Sequence, residues 1–440
     1  MDQKENLTIR INNGSGKTAV MNRISILLLL IISLIQFGAA REKFENVIVV
    51  DQEGKGQFTT ITDALTVLPD MSYQRVIIYI HSGVYEEKIR LVQNYVTLRG
   101  ENRDSTIIRY HQKRTDWESN KDYIGPAVVN IFADDIILEN LTLENTQPEI
   151  ESHAFAVYGK GTRTIIRNCN LLSRGGDTVA LWDYQNGMYY HADCLFRGAV
   201  DLVCPRGWCF IRDSQFYEVK TSAAIWHDGH YDPDQKLVII NSTFEGVSDF
   251  QLGRHHYDAQ FFLINCTFSE NLADQPIYLK TYEDASRNNP YLWSERKYFY
   301  NCHKKGQPYD WYRDNIEAAN VKIKPDEITP VWTFAGRWDP ESTVSVIVTD
   351  YSIDDQMIEL TFSESVTVGG TPVIINEKGL IFTIVPQRFT DNCRLSFHSG
   401  KKISKQDLQG EMILTGGKIS ASKAHVAERR LGQKFQIIND

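Results

Sequence analysis

The amino-acid sequence predicts a right-handed parallel β-helix, a single-stranded solenoid, followed by a small C-terminal antiparallel β-sandwich of immunoglobulin-like type. Three observations lead to this fold class: short strands that recur without helical patterns between them, a Cys or Ser slot at a constant phase of the repeat, and a change of pattern near Ser342. Short strands recurring at a period of roughly 20–50 residues are typical of solenoids, in which each coil packs on the next.

The repeat extends from about Asn46 to His303. Each unit has an Asn or Asp, then a small or apolar residue, then a short strand rich in Val, Ile, Thr and Phe. Subtracting residue numbers gives spacings of 20 to 36 residues between successive units. The Asn and Asp positions are Asn140, Asn168, Asp193, Asp213, Asn241, Asn265 and Asn301. A sandwich would need tight hairpin turns, which are scarce in this region.

The cysteines support the same repeat. Four of the seven follow the Asn or Asp directly, at a position that is Ser in two other units. Cys and Ser alternate at a small stacked slot in a core, so buried free thiols are predicted there. These residues are Cys169, Cys194, Cys266 and Cys302. Cys204 and Cys209 lie off the repeat, and the sequence leaves open whether they pair. The spacing offers no zinc site, so no metal and no cofactor is expected.

The solenoid needs covered ends. Residues 60–68 have the pattern of a short amphipathic helix, which is predicted to cap the N-terminal end. Residues 330–340 read as an aromatic return segment packed on the solenoid. The predicted domains are therefore a β-helix over 41–340 and a sandwich over 341–440. The sandwich strands are predicted at Val344–Val348, Met357–Phe362, Pro372–Ile375 and Leu380–Val385.

The N-terminal 40 residues read as a leader with a signal peptide. A short basic start at 21–23 precedes the apolar run Ile24–Phe37, and small residues at 38–40 offer a cleavage site. The run is short for a membrane span. A secreted or periplasmic protein without membrane insertion after cleavage is expected, and a monomer. The formal net charge of −9 disfavours nucleic acid and anionic membranes as partners. An anionic polysaccharide would have to be bound by local Arg and Lys side chains.

Two aspartates stand out as candidate catalytic groups. Asp177 and Asp201 are 24 residues apart, the length of one coil. Equivalent positions on adjacent strands lie about 4.7–4.9 Å apart. Two carboxyl groups at that distance share one field, so one ionises readily while the pKa of the other rises. That suits a carboxylate nucleophile beside a carboxylic acid. The alternative is a pair of solvated turn aspartates. Arg254 could hold one carboxylate ionised through a bidentate contact, or be an ordinary surface arginine.

An ordered series of segments adds to this interpretation. The segments are Val50–Ile61, Gly83–Lys88, Leu98–Asn102, Asn140–Thr146, Gly176–Thr178, Gly198–Val203 and Leu252–Arg254. Together they make the chain from Ile48 to about Phe268 resemble the pectinesterases, also called pectin methylesterases (carbohydrate esterase family 8), as a divergent bacterial-type member. The resemblance implies methanol release from methyl-esterified uronates in a pectic polysaccharide or oligosaccharide. It implies Asp201 as nucleophile, Asp177 as acid and base, and Arg254 as the group that polarises Asp201.

The chain departs from the family pattern at the oxyanion site. Gly176 stands where the family has one Gln, and His153 stands near the position of the other. Losing one oxyanion donor typically costs about 10²–10³ in rate. His153 is the first candidate to replace the missing amides.

Further departures affect the substrate-binding positions. His256 replaces a Trp after the arginine, Leu202 replaces a Phe after the nucleophile, and Trp182 is a candidate to enter the site. Two other readings stay open. One is a β-helix polysaccharide lyase or hydrolase, although neither a calcium-binding Asp cluster nor a suitable acid–base spacing is evident. The other is a carbohydrate-binding protein that has lost catalysis.

Overall fold

The computed structural model describes residues 47–69, 75–229, 231–290, 292–319, 322–342, 348–362, 366–376, 378–385, 394–408, 411–421 and 434–436. From Val47 to Lys304 the chain winds as a right-handed parallel β-helix with strands stacked into sheets along its axis. The predicted fold class is therefore confirmed. The predicted signal peptide lies outside the described residues. Among the residues that are described, no helix is long and apolar enough to cross a membrane.

Two of the sheets run the length of the solenoid. The ten-stranded sheet contains Val47–Val50, Val76–Ile80, Val96–Gly100, Ile137–Glu139, Thr164–Arg167, Met188–Ala192, Trp208–Arg212, Leu237–Ile240, Phe261–Ile264 and Lys297–Tyr300. The nine-stranded sheet contains Gly83–Tyr85, Thr106–Tyr110, Thr142–Asn145, Asn170–Leu172, Leu195–Gly198, Gln215–Glu218, Thr243–Gly246, Thr267–Phe268 and His303–Lys304.

The third sheet, here called the split sheet, has a four-stranded and a three-stranded part. Its strands are Ile89–Leu91, Ala127–Ile131, Phe155–Gly159 and Val179–Leu181, then Ala223–Trp226, Gln251–His255 and Tyr278–Leu279. Val203 joins the two parts through single parallel bridges to Val179 and Ile225. The coil that carries Val203 is therefore irregular at this point, and the candidate nucleophile lies in it.

The Asn and Asp ladder has a backbone cause. All seven positions have φ between 48° and 57°, the left-handed region that Asn and Asp tolerate best among non-glycine residues. The side chains also bond along the stack. Asn168 donates to Asn140 over 2.8 Å, and Asn301 donates to Asn265 over 2.8 Å. The ladder is thus a repeated corner of the solenoid.

The interior confirms the interpretation of the cysteines. The four ladder cysteines are free and buried in the core, beside a stack of phenylalanines. Rings of Phe196, Phe216 and Phe244 follow one another at 5.0 and 4.4 Å. Cys204 and Cys209, whose pairing the sequence left open, are also free.

Short helices close the solenoid and form its connections. Ile61–Thr66 buries Ile61, Ala64 and Leu65 at the N-terminal end, as the capping prediction requires. The other helices are Arg114–Ser119 and Pro330–Thr333, with 3₁₀ turns at Ala285–Arg287, Ile316–Ala318, Pro325–Glu327, Pro340–Ser342 and Lys405–Leu408.

The predicted return segment packs on the ten-stranded sheet. The ring of Trp332 lies 5.3 Å from that of Phe262, edge to face. Glu341 accepts hydrogen bonds from Tyr190 and Arg212, each over 3.0 Å. These contacts tie the segment after the last coil to the outer face of the solenoid.

The described C-terminal strands form one seven-stranded antiparallel sheet, where the sequence predicted an antiparallel immunoglobulin-like sandwich. They are Val348–Asp354, Met357–Phe362, Val366–Asn376, Ile381–Ile384, Arg394–His398, Glu411–Ala421 and Lys434–Gln436. Residues 344–347, where the first strand was predicted to begin, lie outside the described part. In Met357–Phe362 half-buried and buried residues alternate, the period expected of a strand with one packed face.

Candidate active site

Asp177 and Asp201 occupy equivalent positions on adjacent coils. Val179 pairs with Val203, and each aspartate lies two residues before its valine. The Asp177 N–H donates to Val200 O over 2.9 Å, which fixes the two segments side by side. The spacing of one coil therefore brings the two carboxyl groups together, as the sequence predicts.

The backbone around the pair is strained. Asp177, Val200 and Asp201 have φ of 58°, 57° and 56°. Two such residues in succession are rare, and a β-branched Val in this region is costly, at about 1–3 kcal/mol. Glu218, which is fully buried, accepts the Val200 N–H on both carboxyl oxygens, over 3.1 and 3.0 Å. Glu218 thus braces the turn that presents Asp201.

Arg254 binds Asp201 with a bidentate fork. Its Nε donates to Oδ1 over 3.0 Å and its Nη2 donates to Oδ2 over 2.7 Å. The guanidinium also lies 4.9 Å from the ring centroid of Trp226, so its position is fixed from two sides. This contact is the one that the sequence suggested but left undecided.

The carboxyl group of Asp201 has a raised pKa. Asp177 and Asp201 are only 6% and 4% exposed. Burial, with a smaller effect of the Asp177 charge, raises the pKa of Asp201 to about 6, although Arg254 opposes the shift. Asp201 therefore changes between its neutral and ionised forms in the weakly acidic range.

His153 contacts the other aspartate. Its Nδ1 lies 3.2 Å from Asp177 Oδ2, and this hydrogen bond raises the pKa of the imidazole. Gly176 explains how the ring fits. A Cβ at Gly176 would lie 2.9 Å from His153 Nδ1 and 2.6 Å from Val200 Cγ1. The two departures at 153 and 176 are thus one coupled feature, because the imidazole needs the space that a side chain at 176 would fill.

The remaining predicted site residues differ in where the structure places them. Trp182 is half-buried beside the site, with its indole N–H donated to Cys204 O over 3.1 Å. His256 lies two residues after Arg254, just beyond the end of the strand Gln251–His255, and its ring lies 6.2 Å from that of Trp226. Leu202 is 0% exposed and belongs to the solenoid core, so its prediction as a substrate contact is wrong. The left-handed turn at Val200 and Asp201 directs the next side chain inwards.

Several neighbours of the site were not predicted. Arg206 is nearly buried, with its guanidinium 5.5 Å from the Trp182 ring and 5.4 Å from the Trp226 ring, and its Nε lies 3.3 Å from Asp228. The guanidinium of Arg114 lies 5.7 Å from the ring centroid of Trp182. With Arg254, these residues supply the local cations that an anionic substrate would need on a chain of net charge −9. No motif marks them, and only the rung-by-rung register could have found them.

In the described part of the chain, no cluster of three or more His, Cys, Asp or Glu residues has the geometry of a metal site. What the site does offer is a carboxylate held by arginine, a second carboxyl group and an imidazole, all beside an aromatic and cationic surface. This set can carry out nucleophilic attack and proton transfer at an ester carbonyl.

Comparisons with known proteins agree with the parallel β-helix fold. A family model described as Pectinesterase matches residues 47–262. Pectinesterase QRT1 of Arabidopsis thaliana is 25% identical over 308 residues, covering 66% of this chain and 76% of that protein. The solved structure of pectin methylesterase PemA from Erwinia chrysanthemi has a TM-score of 0.54 at 19% identity, covering 67% of this chain and 97% of that one. A pectin methylesterase solved in complex with a hexasaccharide has a TM-score of 0.54 at 20% identity, with 67% and 98% covered.

The fold and the site define a carboxylic ester hydrolase built on a parallel β-helix. Within that class, residues 47–262 form a domain of the pectinesterase family.

Proposed function

We propose that the protein removes methyl esters from uronic-acid residues of a pectic polysaccharide or oligosaccharide and releases methanol. The observation that carries the proposal is the Arg254 fork on Asp201 with Asp177 at the equivalent position of the next coil. The hexasaccharide bound to a structurally similar pectin methylesterase supports an oligosaccharide as ligand. The cations beside the site suit the free carboxylates of such a chain.

Asp201 acts as the nucleophile in the first step. Its carboxylate attacks the ester carbonyl carbon, the carbonyl π electrons move to oxygen, and the tetrahedral intermediate collapses with loss of the methoxy group. Arg254 keeps Asp201 ionised and orients it, since a bidentate guanidinium favours the charged form. Asp177 belongs to the proton-transfer side of the site, from which the proton that leaves with methanol comes.

Water completes the cycle. The group that gave its proton to methanol then removes a proton from water. The water attacks the acyl-enzyme, releases the uronate and restores the Asp201 carboxylate. His153 takes the place of the missing amides and stabilises negative charge near the carbonyl, because the bond to Asp177 favours its charged form. Trp182 and His256 flank the site and contact the sugar rings.

The expected setting of the enzyme belongs to the same proposal. Residues 1–40 carry a leader and signal peptide, and the protein acts outside the cytoplasm as a monomer. The solenoid ends near residue 340, and the C-terminal sheet from about 341 is a separate module.

The loss of both family amides favours a second candidate, a carbohydrate-binding protein without turnover. One experiment separates the two. Purified protein is incubated with methyl-esterified pectic oligosaccharides and with the same oligosaccharides after alkaline de-esterification, and the products are followed by proton NMR. Methanol from the esterified substrate alone supports the esterase. Binding of both substrates without methanol supports the second candidate, and unsaturated or shortened oligosaccharides support a lyase or hydrolase.

A further inference from the structure

His153 is placed as more than a substitute for an amide. Its Nδ1 is committed to Asp177 Oδ2 at 3.2 Å, and its side chain is 44% exposed. Within the part of the chain that the structure describes, Nε2 makes no hydrogen bond. One ring nitrogen is therefore bound to a buried carboxyl group, and the other is left for solvent or substrate. An imidazole oriented in this way by a carboxylate is an arrangement suited to proton transfer.

The space around the ring is built for it. A Cβ at Gly176 would come within 2.9 Å of Nδ1, so a larger residue at 176 would displace the imidazole from Asp177. His153 is also held from the backbone side, because Arg114 N–H donates to its carbonyl oxygen over 2.9 Å. His153 and Gly176 together bring an imidazole to Asp177 where the family pattern has two amides.

The charges around His153 bear on which group of the His153–Asp177 pair carries the proton. Imidazole is a stronger base than a carboxylate, so in the His153–Asp177 pair the proton belongs on the ring. Asp177 and Asp201 favour the charged imidazole, whereas burial and the nearby Arg114 oppose it. Arg114 is itself paired with Glu118 over 2.7 Å. Asp177 is buried and engaged, so the proton that can reach a departing alcohol is on Nε2.

We propose that His153, oriented by Asp177, is the acid that protonates the departing methanol and the base that activates water. This rests on the proposed function and refines the role of Asp177. In the first step the C–OCH₃ bond breaks, and its electron pair takes the Nε2 proton to give methanol and neutral imidazole. In the second step Nε2 takes a proton from water as the hydroxyl oxygen bonds to the acyl carbon. The Asp201 carboxylate leaves, and the imidazolium is restored.

The leaving group tests this assignment. An acid matters for methanol, a poor leaving group, and much less for trifluoroethanol, which departs readily without a proton. The variant His153→Asn, whose shorter amide lacks a group at the position of Nε2, is compared with wild type on methyl and 2,2,2-trifluoroethyl esters of the same oligouronate. We expect kcat/KM to fall by about 10²–10⁴ on the methyl ester and by less than about tenfold on the trifluoroethyl ester. His303→Asn, an exposed histidine at the far end of the solenoid, is the matched control.

A second variant guards against a folding defect. In His153→Ala, added imidazole should restore methanol release in proportion to its concentration, which a merely structural role would not produce. Equal losses on both esters, or full activity of His153→Asn on the methyl ester, would overturn this inference alone. Absence of methanol release by wild type would overturn the proposed function and this inference with it.

Discussion

In the proposed mechanism, the Arg254 fork sets the pH below which the enzyme loses activity. Replacing Arg254 with Lys keeps a positive charge but breaks the two parallel hydrogen bonds of 3.0 and 2.7 Å to Asp201. A hydrogen bond to a charged group contributes about 1.5–3 kcal/mol, and one pKa unit corresponds to about 1.4 kcal/mol. Loss of one such bond should therefore raise the pKa of Asp201 by about 1–2 units above its value of about 6.

The direction in which activity changes with pH follows from the proposed role of Asp201 as nucleophile. A nucleophilic carboxylate is active only when ionised, so kcat/KM falls as the pH drops through its pKa. Wild type should show an acid limb near pH 6, and Arg254→Lys should show it near pH 7–8 by the shift just estimated. The assay is kcat/KM for methanol release between pH 4 and 9.

The control is Arg212→Lys, an arginine paired with Asp213 and Glu341 on the ten-stranded sheet. Its acid limb should match that of wild type. An unmoved limb in Arg254→Lys, with kcat/KM lowered equally at every pH, would refute the reasoning that the fork controls ionisation of the nucleophile.

Three further predictions follow from the braced turn and the ladder. Gly176→Ala should lower kcat/KM at least about tenfold and destabilise the fold by about 1–3 kcal/mol, because its Cβ meets Val200 and His153; in a His153→Ala background the loss of stability, measured by urea denaturation, should be smaller. The melting temperature of Glu218→Gln should exceed that of wild type by an amount that grows between pH 5 and pH 8. Burial raises the pKa of Glu218 from 4.5 to about 8, so wild type loses stability as the pH rises between those two values, whereas a difference that is constant with pH would contradict this. Asn265→Ala should cost about 1–2 kcal/mol in urea denaturation and Asn265→Gly clearly less, because φ is 53° there; equal costs would argue against a backbone role for the ladder.

The sequence predicted those parts of the fold that follow from local backbone chemistry. The left-handed corner selects Asn or Asp at seven successive coils, so residues such as Asn168 and Asn265 reveal the period directly. The same period placed Asp177 beside Asp201 without knowledge of the coordinates. Periodicity also predicted the cap helix and the buried cysteines.

What the sequence could not give depends on side-chain direction and on irregular backbone. Leu202 points into the core because two left-handed residues precede it, which no alternation rule anticipates. The bond between His153 and Asp177 needs the empty space above Gly176, and that appears only in three dimensions. Arg206 and Glu218 reach the site across coils, so their sequence neighbours give no sign of a role.

The central claim is that Asp201 is the nucleophile of an esterase. Methanol release from a methyl-esterified oligouronate is measured for wild type, for Asp201→Asn and for Asp213→Asn, a ladder aspartate with the same left-handed backbone. The account predicts that Asp201→Asn loses at least about 10³-fold in kcat while remaining folded, and that Asp213→Asn keeps wild-type activity. Equal methanol release by wild type and Asp201→Asn would contradict it.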